Sequence, residues 1–246
     1  MQRTIRVIAT CLFALAASVA GANSDRVALI MGLSDYQTIP ALENTTNDAR
    51  DMAAVLEGIG FDVTLALNPG SRDMHQLLDD FAFRSEVADL ALIYFAGHGV
   101  EVQGENFMIP VDAQVQSNRD VQRQSISLKQ MLAAVERARK MRIVILDSCR
   151  DNPLGDSIVL SEAGSGAGTG NETARSGGVG GLAPADPDRG TLVAFAARDG
   201  QVALDGKGDN SPFAKALMEK MVTPGLEISL MFRQVRDRVL QDTGNL

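Results

Sequence analysis

The sequence predicts an α/β fold in which helices cover both faces of a mostly parallel central sheet. Short apolar segments rich in β-branched residues alternate along the chain with segments of helical periodicity, which is the pattern of strands joined by helical crossovers. The segment Leu90–Ala96 is almost continuously apolar, as expected of a strand buried on both faces. Such crossovers are right-handed, so successive strands and helices build a layered domain. A length of 246 residues fits one domain, at most two.

The spacing of apolar residues, together with residues that cap or end helices, predicts the individual strands and helices. Gly60 ends the first predicted helix, and Ser211-Pro212 opens a later one with a serine cap and proline in the first turn. The predicted strands are Val27–Gly32, Phe61–Leu67, Leu90–Ala96, Ile143–Leu146 and Thr191–Ala196, with a short hairpin at Val100–Ile109. The predicted helices are Ala49–Ile59, Met74–Phe83, Leu128–Ala138, the one after Ser211, and a last one with Ile228, Met231, Val235 and Val239 on one face.

One segment interrupts this pattern. Residues 155–181 are rich in Gly, Ser and Ala and have little apolar periodicity, which predicts a flexible loop. Its run GSGAGTG does not fit the spacing of a dinucleotide-binding loop. We therefore expect no nucleotide cofactor.

Composition argues against a nucleic-acid partner. The formal charge is −8, whereas phosphate binding needs a basic face. Aromatic residues make up only 4% of the chain and there is no Trp, so a base-stacking surface is not expected either.

The N-terminus predicts an exported protein. Arg3 and Arg6 precede the apolar run Val7–Ala20, and Ala20-Gly21-Ala22 fits a cleavage site of small residues. The run is shorter than the roughly 20 residues that a spanning helix needs, so a cleaved signal peptide at 1–22 is favoured over a membrane anchor. We therefore expect a periplasmic or secreted domain at 23–246 without stable membrane insertion.

Two residues with complementary chemistry follow buried strands. His98 lies between Gly97 and Gly99 after one predicted strand, where the glycines predict a sharp turn, and Cys149 follows another in ILDSCRDNP. Ligands of a parallel sheet bind at the carboxyl ends of its strands, so the two meet if their strands are neighbours. An imidazole beside a thiol makes it a nucleophile, and the backbone N–H groups of Gly99 and Cys149 are candidate oxyanion donors. The alternative is a structural histidine and an inert cysteine. The other histidine of the exported domain, His75, is predicted to lie on a helix surface.

These residues resemble a known family. YFAGHG at 94–99 and DSCRDNP at 147–153 are similar to the histidine and cysteine motifs of caspase-like peptidases, in particular bacterial metacaspases or orthocaspases. The likeness runs from about Val27 to Leu240. In caspases the histidine lies about 50 residues upstream of the cysteine, as it does here. The resemblance implies a caspase-like three-layer sandwich and a cysteine endopeptidase.

The resemblance also implies roles for two acidic residues. In metacaspases acidic side chains hold the Arg or Lys before the scissile bond, and Asp48 and Asp147 match those positions. Residues two apart in a strand face the same side, so Asp147 is expected to share the cleft with Cys149. The alternative is that either Asp caps a helix or solvates a loop. Arg175, the only basic residue between Asp151 and Asp188, is a candidate self-cleavage site.

Some positions depart from the family pattern. Ala96 replaces a Ser, Thr45 replaces a Cys, and Arg150-Asp151 follows the cysteine. Calcium activates many metacaspases, so calcium activation is an expectation of the resemblance, although no calcium-loop spacing is visible and no cofactor is otherwise expected.

The resulting prediction is an endopeptidase that acts on proteins or peptides after Arg or Lys, with its oligomeric state open. Two alternatives stay open: a non-catalytic exported scaffold with the same fold, and a thiol acyltransferase or deamidase that uses the same pair of residues.

Overall fold

A computed structural model describes residues 25–149, 190–196 and 208–244. The predicted signal peptide, the Gly-rich loop and Arg175 lie outside these residues. The strands are β1 Arg26–Gly32, β2 Asp62–Leu67, β3 Leu90–Val102, β4 Glu105–Met108, β5 Ile126–Ser127, β6 Met141–Cys149 and β7 Thr191–Phe195. The helices are α1 Thr45–Gly58, α2 Ser71–Ser85, α3 Asn118–Gln124, α4 Leu128–Val135, α5 Pro212–Met221 and α6 Ile228–Asp242.

The central sheet is parallel, as predicted. Its strands run in the order β2, β1, β3, β6 and β7, and every neighbouring pair is parallel. β4 and β5 extend the sheet antiparallel from the far end of β3. The chain therefore fits the predicted mostly parallel sheet, with a small antiparallel addition beyond the carboxyl ends of the strands.

Helices cover both faces of the sheet, which confirms the three-layer α/β sandwich. On one face the apolar residues of α2 and α4 pack against alternate residues of β1, β3 and β6. On the other face α1, α5 and α6 pack against the remaining residues of the same strands. The three inner strands β1, β3 and β6 are consequently covered on both sides, which explains why Leu90–Ala96 is almost continuously apolar.

The predicted turn at Gly97 and Gly99 is wrong. Both glycines lie inside β3, which runs on to Val102. The reason is that β4 offers a pairing partner beyond the parallel sheet, so the chain stays extended from Gly99 onwards. The reversal occurs instead at Gln103 and Gly104, whose φ values are 54° and 81°. Two successive residues with positive φ are typical of the tight hairpin turn whose twist matches the strands.

Other differences concern polar or short elements. α3 and β5 were not predicted, because α3 has the polar sequence NRDVQRQ with only Val121 buried and β5 has two residues. α1 begins at Thr45, four residues before the predicted start at Ala49. As a result Asp48 lies in the first turn of a helix and not in a loop.

The approach of α1 to β1 places that first turn beside the sheet. A Cβ on Gly32, the last residue of β1, would lie 2.5 Å from Cβ of Ala49 and 2.6 Å from the carbonyl oxygen of Thr45. The Thr45 hydroxyl in turn donates to the carbonyl of Leu33 at 2.6 Å. Only a residue without a side chain fits at Gly32, so the start of α1 is held against the carboxyl end of the sheet, where the predicted site lies.

Candidate active site

The sheet register brings the two predicted catalytic residues together. β3 and β6 are parallel neighbours, and His98 is paired with Cys149 at the carboxyl end of their ladder. Cys149 is the last described residue of β6, and its side chain lies outside what the structure describes. Parallel strands pair at their carboxyl ends on one edge of the sheet, which is where open α/β sheets bind ligands.

The imidazole of His98 is held by a loop that sequence reasoning did not connect with it. Nε2 of His98 lies 2.8 Å from the carbonyl oxygen of Pro40. A carbonyl only accepts, so Nε2 carries the hydrogen, and in the neutral ring the lone pair is on Nδ1. The ring of Tyr36 packs at 4.7 Å from the imidazole, and its hydroxyl oxygen accepts the backbone N–H of His98 at 2.8 Å. His98 therefore has a defined tautomer and orientation.

This loop, residues 33–44, is itself fastened to its surroundings. The side-chain oxygen of Asn68 accepts the backbone N–H groups of Ser34 and Asp35 at 2.7 and 3.1 Å. The N–H of Gln37 donates to the carbonyl of Val111 at 2.9 Å. The Thr38 hydroxyl donates to another backbone carbonyl at 2.7 Å. The positions of Tyr36 and Pro40 relative to His98 are thus set by contacts on both sides of the loop.

Gly97 has a steric role and not the predicted turning role. A Cβ at this position would lie 2.6 Å from the Tyr36 hydroxyl oxygen and 2.9 Å from Cζ of Phe95. Both distances are shorter than real Cβ contacts. Glycine therefore permits the close approach of Tyr36 to the strand that carries His98.

The two predicted carboxylates are brought together and are deeply buried. Asp48 and Asp147 are 1% and 7% exposed. Ser211, at the start of α5, joins them: its N–H donates to Oδ1 of Asp48 at 3.0 Å, and its hydroxyl donates to Oδ2 of Asp147 at 2.9 Å. The hydroxyl of Tyr94 donates to the same Asp147 oxygen at 2.9 Å. Asp48 and Asp147 therefore lie close together around Ser211, and their role in holding a basic side chain stays a prediction.

Burial changes the acidity of this pair. Removal from water, followed by the nearby charge of Asp147, raises the pKa of Asp48 to about 7. The hydrogen bonds from Ser211 and Asn210 oppose that rise. The same burial, with the charge of Asp147, raises the pKa of the Tyr94 hydroxyl well above its ordinary value. Two adjacent carboxylates in this setting are stabilised by a cation that contacts both.

The remaining predicted residues lie as follows. His75 is half-buried in α2 with Nδ1 2.8 Å from the carbonyl oxygen of Ser71, as expected of a structural surface residue. Gly99 follows His98 in β3 and pairs with Met108 of β4, so it is next to the candidate site although not in a turn. Among the residues that the structure describes, no group of three His, Cys, Asp or Glu side chains could hold a metal ion. In the same residues no helix has the length and apolar character to cross a membrane.

Four residues of the site were not recognised from sequence: Tyr36, Pro40, Tyr94 and Ser211. Of these four, Tyr94 could best have been recognised, because the hydroxyl of a tyrosine inside an apolar strand needs a polar partner. Ser211 was predicted as a helix cap, which it is, since its hydroxyl accepts the N–H of Ala214 at 3.0 Å. Nothing local indicated its second role, because 163 residues separate it from Asp48.

Comparisons with known proteins show the family and the fold of the chain. The sequence profile of the caspase domain family, described as a C14 peptidase family, matches residues 25–245. The chain belongs to the caspase domain family. It is 29% identical over 141 residues to the human mucosa-associated lymphoid tissue lymphoma translocation protein 1, and equally to its mouse homolog. These matches cover 56% of this chain and 17% of each relative, so the chain spans about a sixth of the length of these curated relatives.

A solved caspase shares the fold. The crystal structure of caspase-1 from Spodoptera frugiperda superposes with a TM-score of 0.63 at 17% identity, covering 89% of this chain and 78% of that one. Family membership and fold together make this a caspase-like protein of the cysteine peptidase class.

Proposed function

We propose that this protein is a cysteine endopeptidase that cleaves peptide bonds after Arg or Lys, with His98 and Cys149 as its catalytic pair. The observation that carries the proposal is the register of β3 and β6, which pairs His98 with Cys149 beside two buried carboxylates. Such a site combines a nucleophile, a base and an anionic pocket at one edge of the sheet.

The proposed mechanism assigns one role to each group. Nδ1 of His98 accepts the proton of the Cys149 thiol, and the sulfur attacks the carbonyl carbon of the scissile bond. Backbone N–H groups of Gly99 and Cys149 donate to the oxyanion. His98 then gives its proton to the leaving amine, and water hydrolyses the thioester. The Pro40 carbonyl supports this cycle, because it accepts the Nε2 hydrogen both in the neutral and in the protonated imidazole.

The pocket assignment rests on charge. Asp48 and Asp147 share a buried site, and the charge of Asp147 is, after burial, a cause of the raised pKa of Asp48. A guanidinium or ammonium bound between them offsets this charge. In the alternative, the two Asp residues serve only to hold the start of α5. The Ser211 contacts support that alternative too, and the experiment below distinguishes it from a substrate pocket.

The test is cleavage of fluorogenic peptides that end in Arg, Lys or Asp, with Cys149→Ala as the inactive control. We expect turnover after Arg and Lys, and a loss of at least about a hundredfold in Asp147→Asn, because a buried charge contact to substrate is removed. Glu57→Gln is a matched control, since Glu57 is an exposed carboxylate of the same helix as Asp48. Turnover after Asp alone would retain the peptidase and remove the roles of Asp48 and Asp147.

The two other functions predict different results. A non-catalytic scaffold would turn over no peptide, with or without calcium. A thiol acyltransferase would transfer the acyl group of the peptide to an added amine in preference to water. Product analysis by mass spectrometry distinguishes these outcomes.

We further propose that the protein is exported and that residues 1–22 are removed. The proposal is supported by the charged start and the apolar run Val7–Ala20. N-terminal sequencing of the protein from the native cell envelope or medium tests it. A chain that begins at Met1 in that fraction would contradict it.

Self-cleavage after Arg175 and activation by calcium are proposed on the family resemblance. Active wild-type protein should yield two fragments on a denaturing gel, and Arg175→Ala should remain one band. Addition of calcium or a chelator to the peptide assay tests the second point directly.

A further inference from the structure

The start of α5 contacts both carboxylates of the proposed pocket through one residue. The N–H of Ser211 donates to Asp48 and its hydroxyl donates to Asp147, at 3.0 and 2.9 Å. Ser211 is 5% exposed, so these bonds are shielded from water. Three elements that are distant in sequence, α1, β6 and α5, thus meet at a single residue, whose backbone N–H contacts Asp48 and whose side chain contacts Asp147.

We propose that Ser211 is a positioning residue that fixes the spacing of Asp48 and Asp147 and thereby makes the pocket select a guanidinium over an ammonium. The inference rests on the proposed function, because it assumes that the two carboxylates receive a basic side chain. It adds a specificity determinant to that function.

Two hydrogen bonds fix the orientation of the Ser211 hydroxyl. Its oxygen accepts the N–H of Ala214 at 3.0 Å, as the cap of α5. Its one hydrogen is donated to Oδ2 of Asp147. Rotation about the side-chain bond would break both contacts together. The hydroxyl therefore links the position of Asp147 to the start of the helix.

The surrounding contacts make this link rigid. Tyr94, which is fully buried in β3, donates a second hydrogen bond to the same Oδ2 of Asp147. Phe213, in the first turn of α5 after Ser211 and Pro212, is 8% exposed, and Leu217 one turn later is fully buried. α5 is thus anchored in the core, and Ser211 transmits that fixed position to the carboxylates.

The spacing matters more for one cation than for the other. A guanidinium is a planar fork whose N–H groups point in fixed directions, so it requires acceptors at defined positions. An ammonium is a compact charge with three rotatable donors and tolerates a displaced carboxylate. Loss of the Ser211 hydroxyl should therefore weaken the binding of a guanidinium more than that of an ammonium.

The test measures binding and does not depend on turnover. Agmatine and cadaverine carry the guanidinium and ammonium groups of arginine and lysine side chains, and calorimetry gives their dissociation constants. In Ser211→Ala we expect the affinity for agmatine to fall about tenfold, because one hydrogen bond to a charged acceptor is lost, and that for cadaverine to change less than about threefold. Ser211→Thr, which keeps a hydroxyl, should retain the wild-type ratio of the two constants.

Two further variants separate selectivity from helix capping. Ser127 caps α4 in the same manner, with its hydroxyl accepting the N–H of Gln130 at 3.2 Å, and it is 6% exposed. Ser127→Ala should therefore reduce thermal stability as Ser211→Ala does but leave the ratio of the two dissociation constants unchanged. Ser211→Gly keeps an acceptable cap without a hydroxyl, so it should show the same loss of agmatine preference if Ser211→Ala does not fold.

The outcomes are distinct for the two proposals. A wild-type protein that binds neither amine would remove the cationic pocket and, with it, this inference. A wild-type protein that prefers agmatine, with the same preference in Ser211→Ala and Ser211→Gly, would overturn the inference and leave the proposed specificity for basic residues in place.

Discussion

Nε2 of His98 lies 2.8 Å from the carbonyl oxygen of Pro40, although 58 residues separate the two in sequence. The contact determines which ring nitrogen has a lone pair, because a carbonyl oxygen can only accept. The same loop supplies Tyr36, whose ring and hydroxyl contact the imidazole and the backbone of His98. The orientation of the proposed base is therefore a property of the loop at residues 33–44 as much as of β3.

A first prediction concerns Tyr36. Tyr36→Phe keeps the ring against His98 and removes the acceptor of its backbone N–H. We expect kcat to fall about five- to tenfold with little change in KM, since a buried donor loses one hydrogen bond near the base and not at the proposed pocket. Steady-state kinetics on an Arg peptide measure this. Equal effects on kcat and KM would contradict a role confined to His98.

A second prediction couples Tyr36 to Gly97. Gly97→Ala should lower kcat/KM by at least about tenfold, because the new Cβ would lie 2.6 Å from the Tyr36 hydroxyl oxygen. The double variant with Tyr36→Phe lacks that oxygen and should recover part of the loss. The contact of the new Cβ with Phe95, at 2.9 Å, would remain. A double-mutant cycle with purely additive losses would contradict the steric explanation.

A third prediction concerns stability and pH. Folding raises the pKa of Asp48 from 3.8 to about 7, so between these values the folded state binds more protons than the unfolded chain. The contribution of Asp48 to stability is therefore fully present below about pH 4 and is lost as pH rises through 7. Asp48→Asn removes this dependence and should be more stable than wild type at pH 8, by up to about 4 kcal/mol, and similar at pH 4.

Urea unfolding of wild type and Asp48→Asn at pH 4, 6 and 8 checks this sign. Glu57→Gln, an exposed position of the same helix, is the control and should follow the wild-type curve. A variant that is less stable than wild type at pH 8 would mean that the Asp48 charge is compensated in the free protein.

A fourth prediction concerns the affinity for basic substrates. Below pH 7 Asp48 becomes protonated, and the proposed pocket loses one of its two negative charges. KM for an Arg peptide should therefore rise about tenfold between pH 8 and pH 6. In Asp48→Asn the KM should be higher than the wild-type value at pH 8 and nearly independent of pH. Measuring KM separately from kcat is essential, because the ionisation of His98 also affects kcat. A wild-type KM that is constant from pH 8 to pH 6 would contradict the role of Asp48.

The fold and the placement of His98 beside Cys149 could be predicted because their signals are local, whereas the catalytic role of the two residues stays a prediction. Each predicted strand was a continuous apolar run, and His98 and Cys149 each follow such a run at its carboxyl end. Their proximity was conditional on β3 and β6 being neighbours in the sheet. The pairing of the two strands, with His98 opposite Cys149, confirms that condition.

The supporting residues could not be predicted because their contacts are non-local. The contacts of Ser211 with Asp48 and Asp147 depend on the packing of α1, β6 and α5, and a helix-cap signal does not reveal what else the cap contacts. The error at Gly97 and Gly99 has a similar cause. Glycines on both sides of a polar residue after an apolar strand are typical of turns, but here Gly97 permits the close approach of Tyr36 and the strand continues to pair with β4.

The central claim is that His98 and Cys149 perform the chemistry, and the most direct measurement is kcat/KM on an Arg peptide for Cys149→Ala, His98→Ala and His75→Ala. His75 is the matched control, since it is the other histidine of the described residues and lies in α2. We predict losses of at least about a thousandfold for the first two variants and wild-type activity for His75→Ala. Substantial activity in Cys149→Ala or in His98→Ala would contradict the account.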